Sequence, residues 1–264
     1  MKKILIIGGD ERLKAAREAL ETEFCVNTLG LYGGDCGDIE QSDVLLLPVP
    51  TTKDRETVYA PLSERKIRLD EIAEKAGGRL ILCCNYMFEG KNCVDYGKLD
   101  GYSLLNAVPT AEGAIKLAIE NTDFTLWQSR VLVIGFGRCG KVLADRLRAL
   151  GARVTVSARK PSDFALCRAS GLRTANTGEL CSVPLDYDII FNTVDAGVID
   201  RKALEGCTAR LMIDLSSKGG FSVDDALELG IKALKAPGLP GVYAPRTAGK
   251  ILAETVTELI HSHI

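Results

Sequence analysis

The stretch from Arg130 to Lys160 constrains the fold of this chain more than any other. It reads RVLVIGFGRCGKVLADRLRALGARVTVSARK, in which an apolar run enters a glycine-rich turn, a helix with a polar face follows, and a second β-branched run closes the segment. The change from a strand-like run to a helical pattern and back predicts a strand, a turn, a helix and a second strand. The sequence therefore predicts one βαβ unit here.

Three glycines within this unit complete the pattern GxGxxG, and each has a physical role. Gly135 permits a tight turn, Gly137 lets the backbone approach a pyrophosphate, and Gly140 lets the helix pack closely on the strand. A helix beginning near Arg138 would direct free N–H groups at that pyrophosphate. The pattern predicts a dinucleotide site, and an ordinary glycine-rich turn is the alternative.

The end of the second strand bears on the choice between NAD and NADP. An NAD site places Asp or Glu about twenty residues after the first glycine, where the carboxylate binds the ribose 2′-hydroxyl. This chain has Ser157, Ala158, Arg159 and Lys160 there. Two cations and no carboxylate suit a 2′-phosphate, so NADP is predicted to be preferred, with NAD as the weaker cofactor. The alternative is that Arg159 and Lys160 form a solvated cap.

Composition and charge exclude several classes of protein. With 264 residues, 46% of them apolar, the chain can build a core in one large or two modest domains. A formal charge of −2 gives no basic face for nucleic acid. The first apolar run stops at Gly8, too short for a signal peptide, and no run has the eighteen or so residues of a membrane helix. A soluble, cytoplasmic protein is predicted.

The cysteines and histidines do not form a metal-binding pattern. No CxxC spacing occurs, and both histidines, His261 and His263, lie in a C-terminal HSHI that is expected to fray. No metal site is predicted. Reduced thiols, most of them buried, are expected of the nine cysteines, which are Cys25, Cys36, Cys83, Cys84, Cys93, Cys139, Cys167, Cys181 and Cys207.

Residues 1–100 alternate between strand-like and helix-like segments, which predicts a first domain with a parallel sheet. Strands are predicted at Ile4 to Ile7, around Val26, at Val44 to Leu47 and at Leu80 to Cys83, and helices at Arg12 to Glu23 and Asp70 to Lys75. The turn from Gly8 to Arg12 lacks a third glycine and is interpreted as facing a ligand rather than a second cofactor. Loops at Pro48 to Thr52 and from Asn85 could line a pocket, although simple turn chemistry explains them equally well.

The segment from Asn106 onward predicts a helix that begins at Pro109, since proline is tolerated in a first turn. Glu112 would then lie early enough to interact favourably with the helix dipole, and the helix would end near Asn121. A final helix is predicted after Pro245 and is expected to return to the first domain. The predicted domains are residues 1–121 with 247–264, and residues 122–246.

The second domain has enough predicted strands for a doubly wound nucleotide-binding fold. A helix is predicted from Pro161 to Ser170, and further strands at Asp188 to Asn192, Leu211 to Leu215 and Ile231 to Leu234. The segment after Ala236, with two prolines and two glycines, is predicted to be irregular and to serve as a hinge or cofactor-covering loop. The cofactor is predicted to contact the glycine turn, the strand ends and this loop, namely Gly135, Phe136, Gly137, Arg138, Cys139, Gly140, Ser157, Ala158, Arg159, Lys160, Asn192, Thr193, Val194, Asp214, Leu215, Ser216, Pro237, Gly238, Leu239, Pro240 and Gly241.

Four segments together resemble the family formed by the A subunit of dipicolinate synthase. They are Gly8-Gly9-Asp10, NAVPTAEGAIKLAIENTDFT from Asn106, VIGFGRCGKVLADRLRALGARVTVSAR from Val133 and APGLPGVYAPRTAGKILA from Ala236. Their order and spacing extend over nearly the whole chain, with the least resemblance between Thr51 and Asp100.

The resemblance implies a fold, an activity and a partner. The fold would be two Rossmann-like, doubly wound parallel-sheet domains arranged as in the D-2-hydroxyacid dehydrogenases. The activity would be NAD(P)-dependent oxidation of a dihydro- or hydroxytetrahydro-dipicolinate, a lysine-pathway intermediate, to dipicolinate for spores. The partner would be the flavoprotein-like B subunit of dipicolinate synthase in the mother-cell cytoplasm of a sporulating bacterium, and a homo-oligomer is left open.

A dicarboxylate substrate needs cations and a proton acceptor in such an enzyme. Arg12, Lys218 and Arg246 are candidate cations, and Lys218 is also grouped with the candidate catalytic residues. Asp10 and Glu112 are candidate bases, although a helix cap and a dipole interaction explain them as well. The remaining candidate substrate contacts, on turns and the predicted helix start, are Gly9, Asn106, Pro109 and Thr110.

Two other functions remain as alternatives. A 2-hydroxyacid dehydrogenase needs a general acid/base near neutral pH, most often histidine, and the terminal positions of both histidines disfavour it. A Rossmann fold can also act as a non-catalytic sensor, so an NADP-responsive regulatory protein is the second alternative.

Overall fold

The computed structural model describes residues 1–33, 35 and 37–263. The chain forms two compact units: an N-terminal unit, Met1–Asn106 with Pro240–Ile264, and a central unit, Ala107–Leu239. The predicted domains also joined the C-terminal helix to the first domain. The predicted boundaries differ from those of the two units, because the division between Asn106 and Ala107 falls inside a helix rather than after that helix.

The N-terminal unit contains a five-stranded sheet in the order β2-β1-β3-β4-β5. All of its strands are parallel, with Ile4 level with both Val26 and Val44. The strands are β1 (Lys3–Ile7), β2 (Cys25–Leu29), β3 (Val44–Leu46), β4 (Leu80–Cys83) and β5 (Cys93–Asp95). The helices of this unit are α1 (Glu11–Leu20), α2 (Leu69–Lys75) and α9 (Pro245–His263).

Alternate residues of β1 enter two different apolar layers. Ile4 and Ile6 pack in one buried cluster with Leu13 of α1 and Val256 of α9. Leu5 and Ile7 share a second cluster with Ile72 of α2. Because both faces of the strand are covered, β1 is a continuous apolar run rather than an alternating one.

Helices α1 and α9 pack closely at Gly249. A Cβ at Gly249 would overlap the Arg12 carbonyl oxygen and lie 2.6 Å from Ala15 Cβ and 2.8 Å from the Ala16 nitrogen. Only a residue without a side chain permits this backbone approach. The contact fixes the C-terminal helix to the first helix of the chain.

The central unit contains six parallel strands in the order β8-β7-β6-β9-β10-β11. Counted from β6, this is the 3-2-1-4-5-6 order of dinucleotide-binding folds. The strands are β6 (Arg130–Ile134), β7 (Arg153–Ala158), β8 (Arg173–Asn176), β9 (Ile189–Asn192), β10 (Leu211–Asp214) and β11 (Lys232–Lys235). The helices are α4 (Arg138–Ala149), α5 (Pro161–Ala169), α6 (Arg201–Glu205) and α7 (Val223–Glu228).

Helix α3 (Asp100–Glu120) corrects the predicted helix start at Pro109. The helix begins nine residues before Pro109, which lies in its interior. An interior proline costs about 3 kcal/mol. Apolar residues before and after it, among them Tyr102, Ala107 and Ala111, are buried and offset that cost. Thr110 therefore has no free helix-start N–H, and Glu112 is not in a first turn.

Other predictions about local structure were also wrong. The segment after Ala236 was predicted to be irregular, yet Leu239–Tyr243 forms a short helix, α8, because Pro240 occupies a first-turn position where no N–H is required. His261 does not fray but lies in α9, 2.7 Å from the Glu23 carboxylate. The edge strands β5 and β8 were missed. Their short length and exposed positions weaken the periodic signal.

Fewer cysteines are buried than the sequence predicted. Of the eight in the described residues, Cys83, Cys84 and Cys167 are buried, while Cys25 and Cys181 are exposed. Cys36 lies outside the described residues. In the described ranges no group of three or more metal-ligating side chains is suitably arranged. Over the same ranges, no helix combines the length and apolar character needed to span a bilayer.

Candidate functional site

Each sheet has one point where the strand order reverses, and such points are where open α/β sheets bind ligands. In the central unit the reversal lies between β6 and β9, and in the N-terminal unit between β1 and β3. The glycine turn, Gly135–Gly140, follows β6, and Asp10 follows β1. Both segments that the sequence singled out thus leave the sheet at a switch point.

The three glycines of the glycine turn have different surroundings. Gly135 has φ +97° and donates its N–H to the Ser157 carbonyl at 3.0 Å. A Cβ on Gly140 would overlap the Gly135 carbonyl oxygen and lie 2.9 Å from its carbonyl carbon. By contrast, a Cβ on Gly137 would meet no atom within 4 Å. Gly137 is therefore the position where this turn is open to a ligand.

Helix α4 begins directly behind this open position, as the sequence predicted. Gly137 is its N-cap and provides no side-chain cap, and no acidic residue lies in the first turn. Helix-start N–H groups without a side-chain cap favour an anion. The exposed Gly137 and Arg138 flank this helix start, so the residues present suit the pyrophosphate of a dinucleotide.

Two neighbours of the open position are less accessible. Phe136 is buried, with the Lys141 ammonium 5.3 Å from its ring centre. Cys139 is half-buried, and burial raises the pKa of its thiol to about 12. Cys139 is thus a neutral thiol at physiological pH, and any contact it makes with a cofactor would be apolar or through its backbone.

The end of β7 offers two cations and no carboxylate. Ser157 is fully buried, and its hydroxyl accepts a hydrogen bond from Thr177 Oγ1 at 3.0 Å. Ala158 is also buried, whereas Arg159 and Lys160 are exposed. The two cations are therefore the groups at this strand end that remain available to a ligand.

A buried network joins the ends of β9 and β10. Asn192 and Asp214 have no exposed surface, and Asn192 Nδ2 donates to Asp214 Oδ1 at 2.8 Å. Ser216 Oγ donates to the same oxygen at 2.7 Å. Both polar side chains are thereby engaged with the protein itself. Asn192, Asp214 and Ser216 hold the strand ends together, and their contact with a cofactor stays a prediction.

The loop after β10, residues 215–220, is held from a second side by Asp195, which the sequence did not single out. Asp195 Oδ1 accepts hydrogen bonds from Ser217 N at 2.8 Å, Ser217 Oγ at 2.9 Å and Lys218 N at 3.1 Å. Burial alone would raise the pKa of Asp195, but these hydrogen bonds lower it. The Lys218 side chain is exposed, on a loop whose backbone is fixed.

The other predicted cofactor residues lie close to these elements. Thr193 donates its hydroxyl to the Ile134 carbonyl at 2.8 Å, and Leu215 donates its N–H to the Asn192 carbonyl at 2.9 Å. A Cβ on Gly135 would lie 2.6 Å from Val194 Cγ1. The strand ends of β9 and β10 are thus packed behind the glycine turn.

The segment 237–241, predicted to cover the cofactor, is divided between the two units after Leu239. Pro237 and Gly238 are exposed after β11, whereas Leu239 and Pro240 are buried as α8 begins. Gly241 belongs to the N-terminal unit, where an added Cβ would lie 2.8 Å from Asp10 Oδ2. Gly241 therefore lies against the candidate catalytic residue Asp10.

Asp10 and Arg12 form an ion pair at the switch point of the N-terminal unit. Asp10 caps α1, and Arg12 donates from Nε to Asp10 Oδ1 at 2.9 Å and from Nη2 to Asp10 Oδ2 at 2.7 Å. Arg12 Nη2 also donates to the Val49 carbonyl just after β3. Arg12 is only 5% exposed. Burial alone would lower the pKa of Arg12, but the hydrogen bond to Asp10 raises it.

The turn before this ion pair is covered by protein. Gly9 donates its N–H to the Tyr59 carbonyl at 2.9 Å, and an added Cβ at Gly8 would lie 2.7 Å from Val58 Cγ1. The segment around Tyr59 therefore satisfies the Gly9 N–H, and the contact of Gly9 with a ligand stays a prediction. The structure thus brings Gly9, Asp10, Arg12 and Gly241 together.

The remaining candidates are on other elements. Asn106 and Thr110 are half-buried along α3, on either side of the buried Pro109. Glu112 is exposed, and its carboxylate lies 3.5 Å from Arg146 Nε of α4. Arg246 is exposed in the first turn of α9.

Comparison with known proteins gives a consistent result over the whole chain. Residues 3–87 match the model of the N-terminal domain of the dipicolinate synthase A subunit. The A subunit of dipicolinate synthase from Bacillus subtilis (strain 168) is 34% identical over 98% of this chain and 95% of that protein. The crystal structure of the same subunit from Bacillus halodurans has a TM-score of 0.87 at 31% identity, covering 98% of this chain and 97% of that one.

A more distant likeness concerns the fold alone. D-lactate dehydrogenase from Escherichia coli has a TM-score of 0.63 at 13% identity, covering 99% of this chain and 98% of that one. The predicted fold class, two Rossmann-like parallel-sheet domains as in the D-2-hydroxyacid dehydrogenases, is confirmed. Identity of about a third over almost the full length of both chains establishes the relationship, and the chain belongs to the family of the dipicolinate synthase A subunit.

Proposed function

We propose that this chain is the oxidoreductase subunit of a dipicolinate synthase and oxidises a dihydro- or hydroxytetrahydro-dipicolinate to dipicolinate. The observation that carries the proposal is the open, uncapped start of α4 behind Gly137, at the switch point of a sheet with dinucleotide-binding order. When bound there, a nicotinamide cofactor supplies the hydride acceptor. Gly135, Gly137 and the first N–H groups of α4 would hold its pyrophosphate.

NADP is the proposed cofactor, with NAD binding more weakly. The support is the exposed Arg159 and Lys160 at the end of β7, where a carboxylate would be expected for NAD. Removing one charge-assisted contact to a 2′-phosphate is expected to weaken NADP binding about tenfold, equivalent to about 1.4 kcal/mol.

Calorimetric titration tests this preference. Arg159→Ala is expected to raise the Kd for NADP while leaving that for NAD unchanged. Arg153→Ala is the matched control, because Arg153 is also exposed but lies at the opposite end of the same strand. Equal affinities for NAD and NADP in the unsubstituted chain, unaltered by Arg159→Ala, would refute the preference.

The proposed substrate contacts use the Asp10–Arg12 ion pair and two further cations. Arg12 Nε and Nη2 are engaged by Asp10 and Val49, whereas Nη1 takes part in none of these hydrogen bonds. Nη1 is therefore the donor we assign to a substrate carboxylate, with Asp10 orienting the guanidinium. Lys218 and Arg246, both exposed, are proposed as these cations, and Gly9, Asn106, Pro109 and Thr110 are proposed as further substrate contacts.

The proton released in the oxidation needs an acceptor, and Glu112 and Asp10 are the proposed candidates. Glu112 is 62% exposed and makes only a 3.5 Å pair with Arg146, so its carboxylate can accept a proton. Asp10 is neutralised by Arg12, which favours a positioning role. Glu112→Gln is expected to lose turnover while retaining NADP binding, whereas Glu120→Gln, on the same helix, serves as the control.

A turnover assay separates this proposal from a regulatory role. The dihydrodipicolinate precursor and NADP are supplied to the purified chain, with and without the flavoprotein-like B subunit of dipicolinate synthase, and NADPH formation is followed. NADPH formation that requires this chain supports the proposed function. Binding of NADP without any NADPH formation in either mixture would instead identify a regulatory protein. The proposal extends to the mother cell of a sporulating bacterium as the site of action, which a fluorescent fusion during sporulation would test.

A further inference from the structure

Two cysteines on neighbouring strands of the N-terminal unit are in direct contact. Cys83 ends β4 and Cys93 begins β5, and their Sγ atoms are 3.1 Å apart. Cys83 is fully buried, whereas Cys93 is half-buried at the edge of the sheet. One thiol of the pair is therefore accessible to a small molecule, and the other lies directly behind it.

The hydrogen bonds of the pair distinguish the two sulfur atoms. The hydrogen bond from Cys83, assisted by the Phe88 N–H, lowers the pKa of Cys93 to about 7. The same contact with Cys93, together with burial, raises the pKa of Cys83. Cys83 Sγ also donates to the Tyr86 carbonyl at 2.7 Å, so Cys83 has a second acceptor for its proton, and Cys93 is the sulfur with the lower pKa. Thiolates rather than thiols attack disulfides.

The neighbouring Cys84 has no such contact. Its thiol is buried, and burial raises its pKa to about 12. Its side chain points to the other face of the sheet, since successive residues of a strand alternate. Cys84 belongs to the apolar cluster around Ile4 and Val256, away from Cys93.

The strands bring the two thiols into contact, and forming a bond then requires β5 to move relative to β4. Cys93 is level with Ile81 and Cys83 with Asp95, so the cysteines are staggered by two residues on one face of adjacent strands. A disulfide requires about 2.05 Å between sulfurs. The remaining movement can be taken up by β5, which is only three residues long and lies at the sheet edge.

We propose that Cys93 and Cys83 form a thiol–disulfide modification site, with Cys93 attacking a low-molecular-weight disulfide and Cys83 resolving the product. In the first step the Cys93 thiolate bonds to one sulfur of the small disulfide, whose other sulfur leaves as a thiolate. Cys83 then loses its proton, bonds to Cys93 and expels the second small thiolate. Two protein thiols are oxidised to one disulfide, and one small disulfide is reduced to two thiols.

The bond would join the two ends of the loop formed by residues 84–92. This loop already depends on Asp95, whose Oδ1 accepts the Asn85 N–H at 2.9 Å and holds Asn85 at φ +57°. The rings of Tyr86 and Phe88 are packed edge to face, 4.9 Å apart. A covalent link at the base of the loop would restrict the segment that carries these rings. The inference concerns only this unit and does not depend on the proposed oxidoreductase activity.

The positions of the basic residues allow a direct test by peptide mapping. Trypsin cleaves after Arg79, Lys91 and Lys98, so Cys83 and Cys84 lie in the peptide 80–91 and Cys93 in the peptide 92–98. The full chain is treated with oxidised glutathione, remaining thiols are alkylated, and the digest is analysed by mass spectrometry. A reducible link between these two peptides is expected, and Cys84→Ala should retain it.

Two variants separate the attacking and resolving roles. Cys83→Ser is expected to accumulate glutathione on the peptide 92–98, because the mixed disulfide has no second thiol to resolve it. Cys93→Ser should give neither the link nor the adduct. In the unsubstituted chain, alkylation of Cys93 should reach half its maximal rate near pH 7, whereas an ordinary thiol does so near about pH 8.5.

The proposal fails if the unsubstituted chain, which needs no variant to fold, gives no link between the two peptides. It also fails if the link persists in Cys83→Ser through Cys84. Faster modification of the exposed Cys25 or Cys181 than of Cys93 would equally overturn the assignment of Cys93 as the attacking thiol.

Discussion

Two glycines of the glycine turn, only three residues apart, are expected to respond oppositely to the same substitution. A methyl group at Gly140 would overlap the Gly135 carbonyl oxygen and lie 3.2 Å from Thr193 Oγ1. A methyl group at Gly137 would meet nothing within 4 Å. Gly140→Ala should therefore lose stability, whereas Gly137→Ala should remain stable and lose cofactor affinity.

The size of the Gly140 effect follows from two opposing terms. Overpacking against backbone atoms, which cannot rotate away, costs about 2–3 kcal/mol. Alanine in place of glycine within a helix recovers about 1 kcal/mol. The net loss of about 1–2 kcal/mol corresponds to a fall in Tm of roughly 3–8 °C for a unit of this size.

Gly137 is different because its φ of −74° is accessible to any residue. The poorer N-cap preference of alanine is partly offset by the lower entropy of its unfolded chain, so the stability change should stay within about 0.5 kcal/mol. If the pyrophosphate approaches this position, the added methyl group should raise the Kd for NADP at least tenfold, or by about 1.4 kcal/mol.

Thermal unfolding and calorimetric titration of both variants test the reasoning together. An unchanged Tm for Gly140→Ala would show that the helix and turn are not in the contact described. An unchanged Kd for Gly137→Ala, with a normal Tm, would place the cofactor elsewhere. Comparable losses of stability in both variants would contradict the distinction between a packed and an open glycine.

Three further substitutions have outcomes that the contacts predict. Gly249→Ala should lower Tm by the equivalent of about 1–3 kcal/mol, because its methyl group would press on α1. The control Gly101→Ala, at an open helical position, should raise Tm slightly. Equal Tm values for the two variants would contradict this. Asp214→Asn should destabilise the central unit by about 1–3 kcal/mol in urea unfolding. The buried carboxylate accepts four hydrogen bonds, three at Oδ1 and one from Gly220 N at Oδ2, and the amide of asparagine would donate from one of these two positions. Unchanged unfolding would count against the network. The pKa of Asp195 is lower in the folded chain than in the unfolded chain. Its contribution to the free energy of unfolding is therefore complete above the unfolded pKa of about 3.9 and is lost as the pH falls through the lower folded pKa. The Tm difference between the unsubstituted chain and Asp195→Asn should therefore be constant from about pH 7 to pH 5 and should disappear below about pH 3.9. A difference that disappears already between about pH 7 and pH 5 would refute a lowered pKa of Asp195.

Local patterns predicted the parts of the fold that depend on near neighbours. The glycine turn could be predicted because Gly135, Gly137 and Gly140 lie between an apolar run and an amphipathic helix. The role of each glycine depends on atoms within a few residues or on the adjacent strand. The start of α4 and most strands followed from the same periodic signals.

Contacts between residues that are distant in sequence could not be predicted in this way. Nothing near Gly9 indicates that its N–H is satisfied by Tyr59, and nothing near Asp195 indicates that it holds the backbone of Ser217 and Lys218. Pro109 was misinterpreted because a local rule about helix starts was outweighed by apolar burial along a much longer helix.

The packing of α9 against α1 also bears on the order in which the chain can fold during synthesis. Ile4 and Leu13 share one cluster with Val256 and Ile260, so the N-terminal core cannot be completed until the last helix has left the ribosome. The central unit, Ala107–Leu239, is contiguous and is synthesised before that helix. At the usual rate of translation, its residues separate the two halves of the N-terminal core by on the order of 10 s. During that interval the apolar face of α1 lacks its partner, which leaves the nascent chain with an exposed apolar surface of the kind that chaperones bind.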